Sequence, residues 1–169
     1  MPQISMYRAS VPVLGRALRN LATVLRKGEA HAAQRNLDPS VLLGYRIAPD
    51  MFPLTRQVQI ATDMAKGCVA RLAGVEVPSY ADDETTFAQL LARIDRTVAF
   101  IEALAPAQID GSEAKTVTLK MRTDEVTFEG LPYLLDFVHP NVYFHCTTAY
   151  AILRHCGVDV GKKDFIGAP

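Results

Sequence analysis

Apolar residues return every three or four positions in four separate stretches of this chain, a period that only amphipathic helices packed on one another can satisfy. The first stripe is Val11, Leu14, Leu18, Leu21, Leu25 and Ala32; Ser10 is the expected N-cap, Pro12 falls in the opening turn, and the helix should end near Arg35. The second, Leu54, Val58, Ala61, Ala65, Cys68 and Leu72, has Pro53 in its first turn and Gly74 as its stop. A third runs from about Glu84 to Leu104 through Phe87, Leu90, Leu91, Ile94, Val98 and Ile101, with Pro106 closing it. The fourth occupies residues 138–156, where Val138, Val142, His145, Ala149, Ile152 and Cys156 form one seam. Between the first two helices, NLDPSVLLGYRIAPDM reads as a structured loop with one helical turn at Ser40 to Gly44.

Between helices three and four the period changes to two. Val117, Leu119 and Met121 alternate with threonines and Lys120, Val126 and Phe128 repeat the pattern, and Arg122, Thr123 and Asp124 are turn-like, so a two-stranded hairpin is expected. A hairpin of that size is marginal alone and must lean on the helices. The glycine-containing tail GVDVGKKDFIGAP reads as irregular. The fold class is therefore all-α, a four-helix bundle with a small β-hairpin between helices 3 and 4, organised as a single domain over residues 1–169.

Composition excludes several classes of function. Lys plus Arg equals Asp plus Glu, giving zero formal net charge, whereas nucleic-acid backbones are held by an excess of positive charge. No apolar run approaches the roughly 18 residues of a membrane span, and the first twenty residues carry charges inside their apolar run, unlike a signal peptide. Cys68, Cys146 and Cys156 lack metal-type spacing and lie on or beside apolar stripes, as expected of a cytoplasmic protein with unpaired thiols. There is no nucleophile elbow, phosphate-cradling glycine loop, HExxH or CxxC.

Chemistry gathers around the fourth helix. His145 stands in the seam where an aliphatic residue belongs, and a buried imidazole must be paired, bound to a metal or poised for proton transfer. One reading makes it a core histidine satisfied by a hydroxyl, carboxylate or carbonyl; the other makes it a ligand or acid/base group. His155 lies ten residues on, about 80° round the helix and roughly 15 Å along it, and His139 is about 120° out of phase, so neither can share a metal with His145. Asp50 precedes the second helix, where it is expected to cap that helix and is placed to bond an imidazole or a cation. Gln57 flanks the second stripe and can point an amide into a cleft; Asn141, Tyr143 and Thr148 bring polar atoms to the fourth helix. Asp63, opposite Leu54 on the wheel, is expected to be solvated.

Four blocks, ISMYRASVPVLGRALRNL, APDMFPLTRQVQIATDMAKGCVARLAG, ETTFAQLLARI and NVYFHCTTAYAILRHCGV, resemble an uncharacterised bacterial domain-of-unknown-function family within the DinB/YfiT-like superfamily of metalloenzymes. The resemblance covers essentially the whole chain and implies a DinB-like four-helix bundle. It also implies a divalent metal, nickel or zinc, held by one histidine of the second helix and an HxxxH pair of the fourth, with thiol-dependent transfer or isomerisation chemistry in some members. Only His145 matches that triad: residues 53–73 contain no histidine, and position 149 is Ala149. The expectation is thus an uncharacterised DinB-like protein that binds a small molecule or metal near His145 without the usual three-histidine site. The alternative is a non-catalytic helical scaffold that forms a homodimer.

Overall fold

The computed structural model describes residues 4–120 and 124–168. Four long helices form the body: α1 (Met6–Gln34), α3 (Leu54–Ala73), α4 (Phe87–Glu102) and α7 (His139–His155). Helices α1 and α3 each lie against both α4 and α7 and also meet one another, so the four surround one core. The expected stripes supply that core: Leu18, Leu25, Leu54, Val58, Ala61, Ile94, Ile101, Val142, Ala149 and Ile152 are all fully buried. Short helices α2 (Pro39–Leu43), α5 (Pro106–Ile109), α6 (Gly130–Pro132) and α8 (Lys162–Ile166) occupy the connections. Strands β1 (Thr116–Lys120) and β2 (Glu125–Glu129) pair antiparallel with Val117 opposite Phe128 and Leu119 opposite Val126. Val117 and Leu119 face the core, as expected; Met121, Arg122 and Thr123, assigned from the sequence to the strand end and turn, lie outside the described residues.

Several boundaries differ from the sequence reading. Helix α1 starts four residues before Ser10, capped by Ser5, and the Asp110 carboxylate accepts a further bond from the Tyr7 N–H at 2.8 Å. Ser10 is inside the helix and buried, its hydroxyl donating back to the Met6 carbonyl at 2.6 Å, and Pro12 is accommodated in the interior at the loss of one backbone bond. Helix α4 begins at Phe87 behind a Thr86–Gln89 capping box and stops at Glu102; Pro106 opens α5 instead of closing α4. Gly74 ends α3 with a φ of 74°, the left-handed stop foreseen for it.

The approach to α7 was not anticipated. After β2 the chain turns into α6 at Gly130, where a Cβ would stand 2.0 Å from the Ser112 carbonyl oxygen, so the tight passage admits no side chain. Tyr133–Val138 then forms a π-helical segment that runs directly into α7. Pro140, just inside α7, has no N–H to offer the preceding turn, and the His139 N–H reaches back five residues to Leu134. The tail is also more ordered than expected. Val158 and Val160 are buried, and α8 is latched to α1 by Asn20 and Arg16 donating to the carbonyls of Phe165, Ile166 and Ala168 and by the Lys27–Asp164 ion pair.

A buried ionic cluster joins α3, α4 and the linker between them. The Arg93 side chain has no exposed surface; it donates to Thr62 Oγ1 at 2.8 Å, Asp63 Oδ1 at 2.7 Å, Glu84 Oε1 at 2.9 Å and the Ala81 carbonyl at 3.1 Å, and pairs with Asp82 at 3.0 Å. Asp63 is therefore not the freely solvated carboxylate expected, since both Arg93 and Lys66 hold it. The Tyr80 ring lies beneath the cations of Lys66 and Arg96, at 4.1 and 3.7 Å from its centroid. Deleting one partner of a buried ion cluster strands the others in a poor dielectric. Arg93→Met should lower unfolding stability by about 3–5 kcal/mol in urea titration. Arg19→Gln, which breaks only the exposed pair with Glu102, should cost less than about 1 kcal/mol.

Candidate functional site

Gln57 lies in the first turn of α3, and His145 lies on the face of α7 packed against it; both are buried. The Gln57 amide nitrogen donates to the Phe52 carbonyl at 2.9 Å, in the chain just before α3. A carbonyl can only accept, so the amide is oriented with its oxygen toward α7, where it lies 2.7 Å from His145 Nδ1. That oxygen also can only accept. Nδ1 therefore carries the proton, and in the neutral ring Nε2 carries the lone pair. Burial, followed by the positive charge of Arg56, holds the His145 pKa below the ordinary 6.5, so the ring is neutral at neutral pH. Phe144 meets the imidazole edge-on at 5.2 Å between ring centroids. Nε2 is neither paired with a described residue nor sealed from solvent.

The remaining sequence candidates divide into two groups. Tyr143 and Thr148 line a shallow cleft of about 380 Å³ with Phe144, Ile47 and Met51 as its apolar walls; His145 is not a lining residue, and its ring approaches the cleft through its edge-on contact with Phe144. The Thr148 hydroxyl is engaged within its own helix, donating to the Phe144 carbonyl at 2.8 Å. Asn141 is drawn away from the site: its amide donates to the Phe137 carbonyl at 2.7 Å, at the junction between the π-helical segment and α7. Asp50 does not cap α3. The N-cap is Pro53, with no side-chain bond, because the chain turns at Ala48–Met51 and leaves Asp50 exposed. It makes no bond to the imidazole.

Two participants were invisible in the sequence. The Phe52 backbone carbonyl, which orients Gln57, carries no residue-type signal. His139, read only as a residue at the helix start, has its Nε2 buried with no partner and lines a separate cavity of about 790 Å³ with Arg8, Leu131 and Leu135. Burial lowers its pKa, against an opposing hydrogen bond to the Ala9 backbone.

A metal held in the manner of the three-histidine bundles does not fit this donor set. His145 meets one neutral amide, Ala149 has no donor, and among the described residues no three His, Cys, Asp or Glu side chains converge.

The fold and this site can be set against known proteins. A crystal structure of a DinB family member protein from Shewanella denitrificans is 41% identical over 96% of this chain and 92% of that one, with a TM-score of 0.86. No curated protein matches the chain. The family model described as domain of unknown function (DUF1993) matches residues 6–166. A helical bundle with a two-stranded hairpin, aligned over nearly its whole length with a DinB family structure, belongs to that uncharacterised DinB-like family.

Proposed function

We propose that this chain binds a small organic molecule in the cleft beside His145, using Nε2 of the neutral imidazole as a hydrogen-bond acceptor. The observation that supports this reading is the relay from the Phe52 carbonyl through Gln57 to Nδ1. A core histidine needs only to be satisfied; this one is held in a single tautomer while its other nitrogen is unpaired among the described residues and not fully sealed, and its ring packs on Phe144, a wall of the hollow. The ligand class that fits is a compact apolar molecule with one donor, such as a thiol, phenol or alcohol, seated against Phe144, Tyr143 and Met51. Divalent nickel or zinc is disfavoured by the donor set. The three cysteines are free, which accords with a reducing, cytoplasmic setting.

A thermal-shift screen of small thiols, phenols, alcohols and the two metal ions tests the reading. A rise in Tm with an organic donor that disappears in His145→Ala is expected; an unchanged Tm across the whole screen would overturn it. Gln57→Leu should cost about 1–3 kcal/mol by leaving the Nδ1–H without its acceptor. In nitrogen-detected NMR the single His145 tautomer should then give way to a mixture.

Acid titration supplies a second check. His139 and His145 resist protonation in the folded chain, whereas in the unfolded chain they take up protons near the ordinary value of 6.5. Stability contributed by their neutrality is present above that value and is lost as pH falls, so unfolding free energy should decline from about pH 7 to pH 5. His145→Asn should flatten part of that slope. For Asp82 and Glu84, burial opposes ionisation, but hydrogen bonds from Arg56, Arg93 and Gln59 prevail and lower both pKa values. Their contribution is present above the ordinary carboxylate range and disappears only at lower pH, below about 4, which separates the two windows.

A homodimer is the second reading, favoured by one observation. Ile47, Tyr143 and Phe144 are 46%, 42% and 58% exposed and line the same hollow, an apolar cluster of the kind isologous interfaces bury. Light scattering should then give twice the chain mass, reverting to the monomer in Phe144→Glu. A monomeric wild-type protein at high micromolar concentration removes this reading and leaves the ligand cleft.

A further inference from the structure

An unassigned cleft whose charged lining residues are all of one sign lies on the other flank of α7, where that helix meets α1 and the latched C-terminal helix α8. Its volume is about 630 Å³, within the size range of pockets that enclose small organic ligands. Its walls are apolar: Pro12, Val13 and Ala17 from α1, Cys146 from α7, Phe165 and Ile166 from α8. Its charged lining residues are Arg8 and Arg16, and no carboxylate lines it. Arg8, Pro12, Arg16 and Asn20 recur every four residues, so the cleft follows one face of α1 for roughly 18 Å.

The two arginines are not equivalent. Arg16 is engaged, donating through Nε and Nη2 to the Ile166 and Ala168 carbonyls that hold α8 in place. Its charge still reaches the cavity: burial and Cys146 push the Tyr143 phenol above its ordinary range, and Arg16 pulls against them. The Arg8 guanidinium has no partner among the described residues. A planar five-donor cation lining an apolar trough, unpaired among the described residues, matches a carboxylate joined to a hydrocarbon. The neighbouring cavity that contains His139 shares Arg8 but also carries Glu113, whose charge opposes an anion there.

We propose that the α1–α7–α8 cleft is a binding site for a small amphipathic anion, its carboxylate on Arg8 and its hydrocarbon tail along Val13 and Ala17 toward Phe165 and Ile166. Nothing in this proposal depends on the Gln57–His145 pair; Tyr143 borders both clefts but is the only side chain they share. Octanoate is a suitable probe, with octylammonium as its control of equal tail and opposite charge. Calorimetric titration at low salt should show saturable octanoate binding and at least tenfold weaker octylammonium binding. Arg8→Gln, on an exposed side chain, should weaken octanoate at least tenfold, and Ala17→Phe, filling the trough, should abolish binding. His145→Ala should leave octanoate affinity unchanged while removing any ligand of the other cleft, so the two proposals fail separately. Equal binding of both probes, or undiminished octanoate binding in Arg8→Gln, would overturn the assignment. So would recruitment to phosphatidylglycerol vesicles without binding of monomeric octanoate, which would mark the face as a membrane contact. Should Ala17→Phe lose its helical circular dichroism, the Arg8→Gln and octylammonium comparisons still decide.

Discussion

The buried guanidinium of Arg93 is the interaction on which the arrangement of the site depends. One side chain ties Thr62 and Asp63 of α3 to Ala81, Asp82 and Glu84 of the linker, while its own backbone belongs to α4. Such a cation is tolerable inside the bundle only because its donors are met by oxygens and its charge by three carboxylates. The cluster extends toward the first turn of α3. Gln59 donates to Glu84, and Arg56 donates to both Gln59 and Asp82. Arg56 is the residue before Gln57, and its charge is one of the two reasons the His145 imidazole stays neutral. The ionic cluster therefore sets both the position of α3 and part of the electric field at its first turn.

That field explains why an imidazole persists in an otherwise aliphatic seam. A protonated His145 would be a further buried cation, close to the half-exposed Arg56 and with no carboxylate paired to it among the described residues, and the neutral ring avoids that cost. Gln57 is a partner suited to neutrality. An amide anchored by the Phe52 carbonyl can take the Nδ1 proton in a hydrogen bond but provides no negative charge to favour a second proton. A carboxylate at the same position would do the opposite, raising the imidazole pKa. The chemistry available at Nε2 is accordingly that of an uncharged acceptor. This also separates the site from the histidine-rich metal centres to which the chain bears a resemblance, where several imidazoles converge on one ion.

The four long helices were legible because their stripes obey one period and their core is almost wholly aliphatic; Val58, Ile94 and Ala149 needed only counting. His145 and Gln57 were each recognisable as polar residues beside an apolar stripe, but their pairing spans 88 positions and has no local signature. Asp50 misled because an acidic residue just ahead of a proline imitates a cap, whereas the turn at Ala48–Met51 faces it to solvent. Arg93 carried a signal that went unread. It follows Leu90 by three and precedes Thr97 by four, so it falls on the buried flank of α4, where an arginine demands buried counter-charges. Two of those charges, Asp82 and Glu84, sit in a linker with no periodicity of its own, and the third, Asp63, is 30 positions from Arg93 on another helix, so the sequence gives no local sign of the cluster.

The segment leading into α7 was hidden by its own composition, and its geometry decides how α7 is used. Gly130, Pro132 and Pro140 all read as breakers, yet the chain stays helical from Gly130 onward by adopting π geometry through Tyr133–Val138. A π segment adds an extra residue to the turn and so shifts the phase of everything after it. Downstream of that shift, Tyr143 and Cys146 border the cleft on α1, while His145 turns to α3 and Thr148 lines the hollow beside it. Uninterrupted α-geometry from Gly130 would rotate those side chains by about 100° relative to Tyr133 and Leu134, which are anchored in the core. His145 would then lose its alignment with Gln57. The irregular approach is thus what allows one helix to present a neutral imidazole on one flank and an apolar trough on the other.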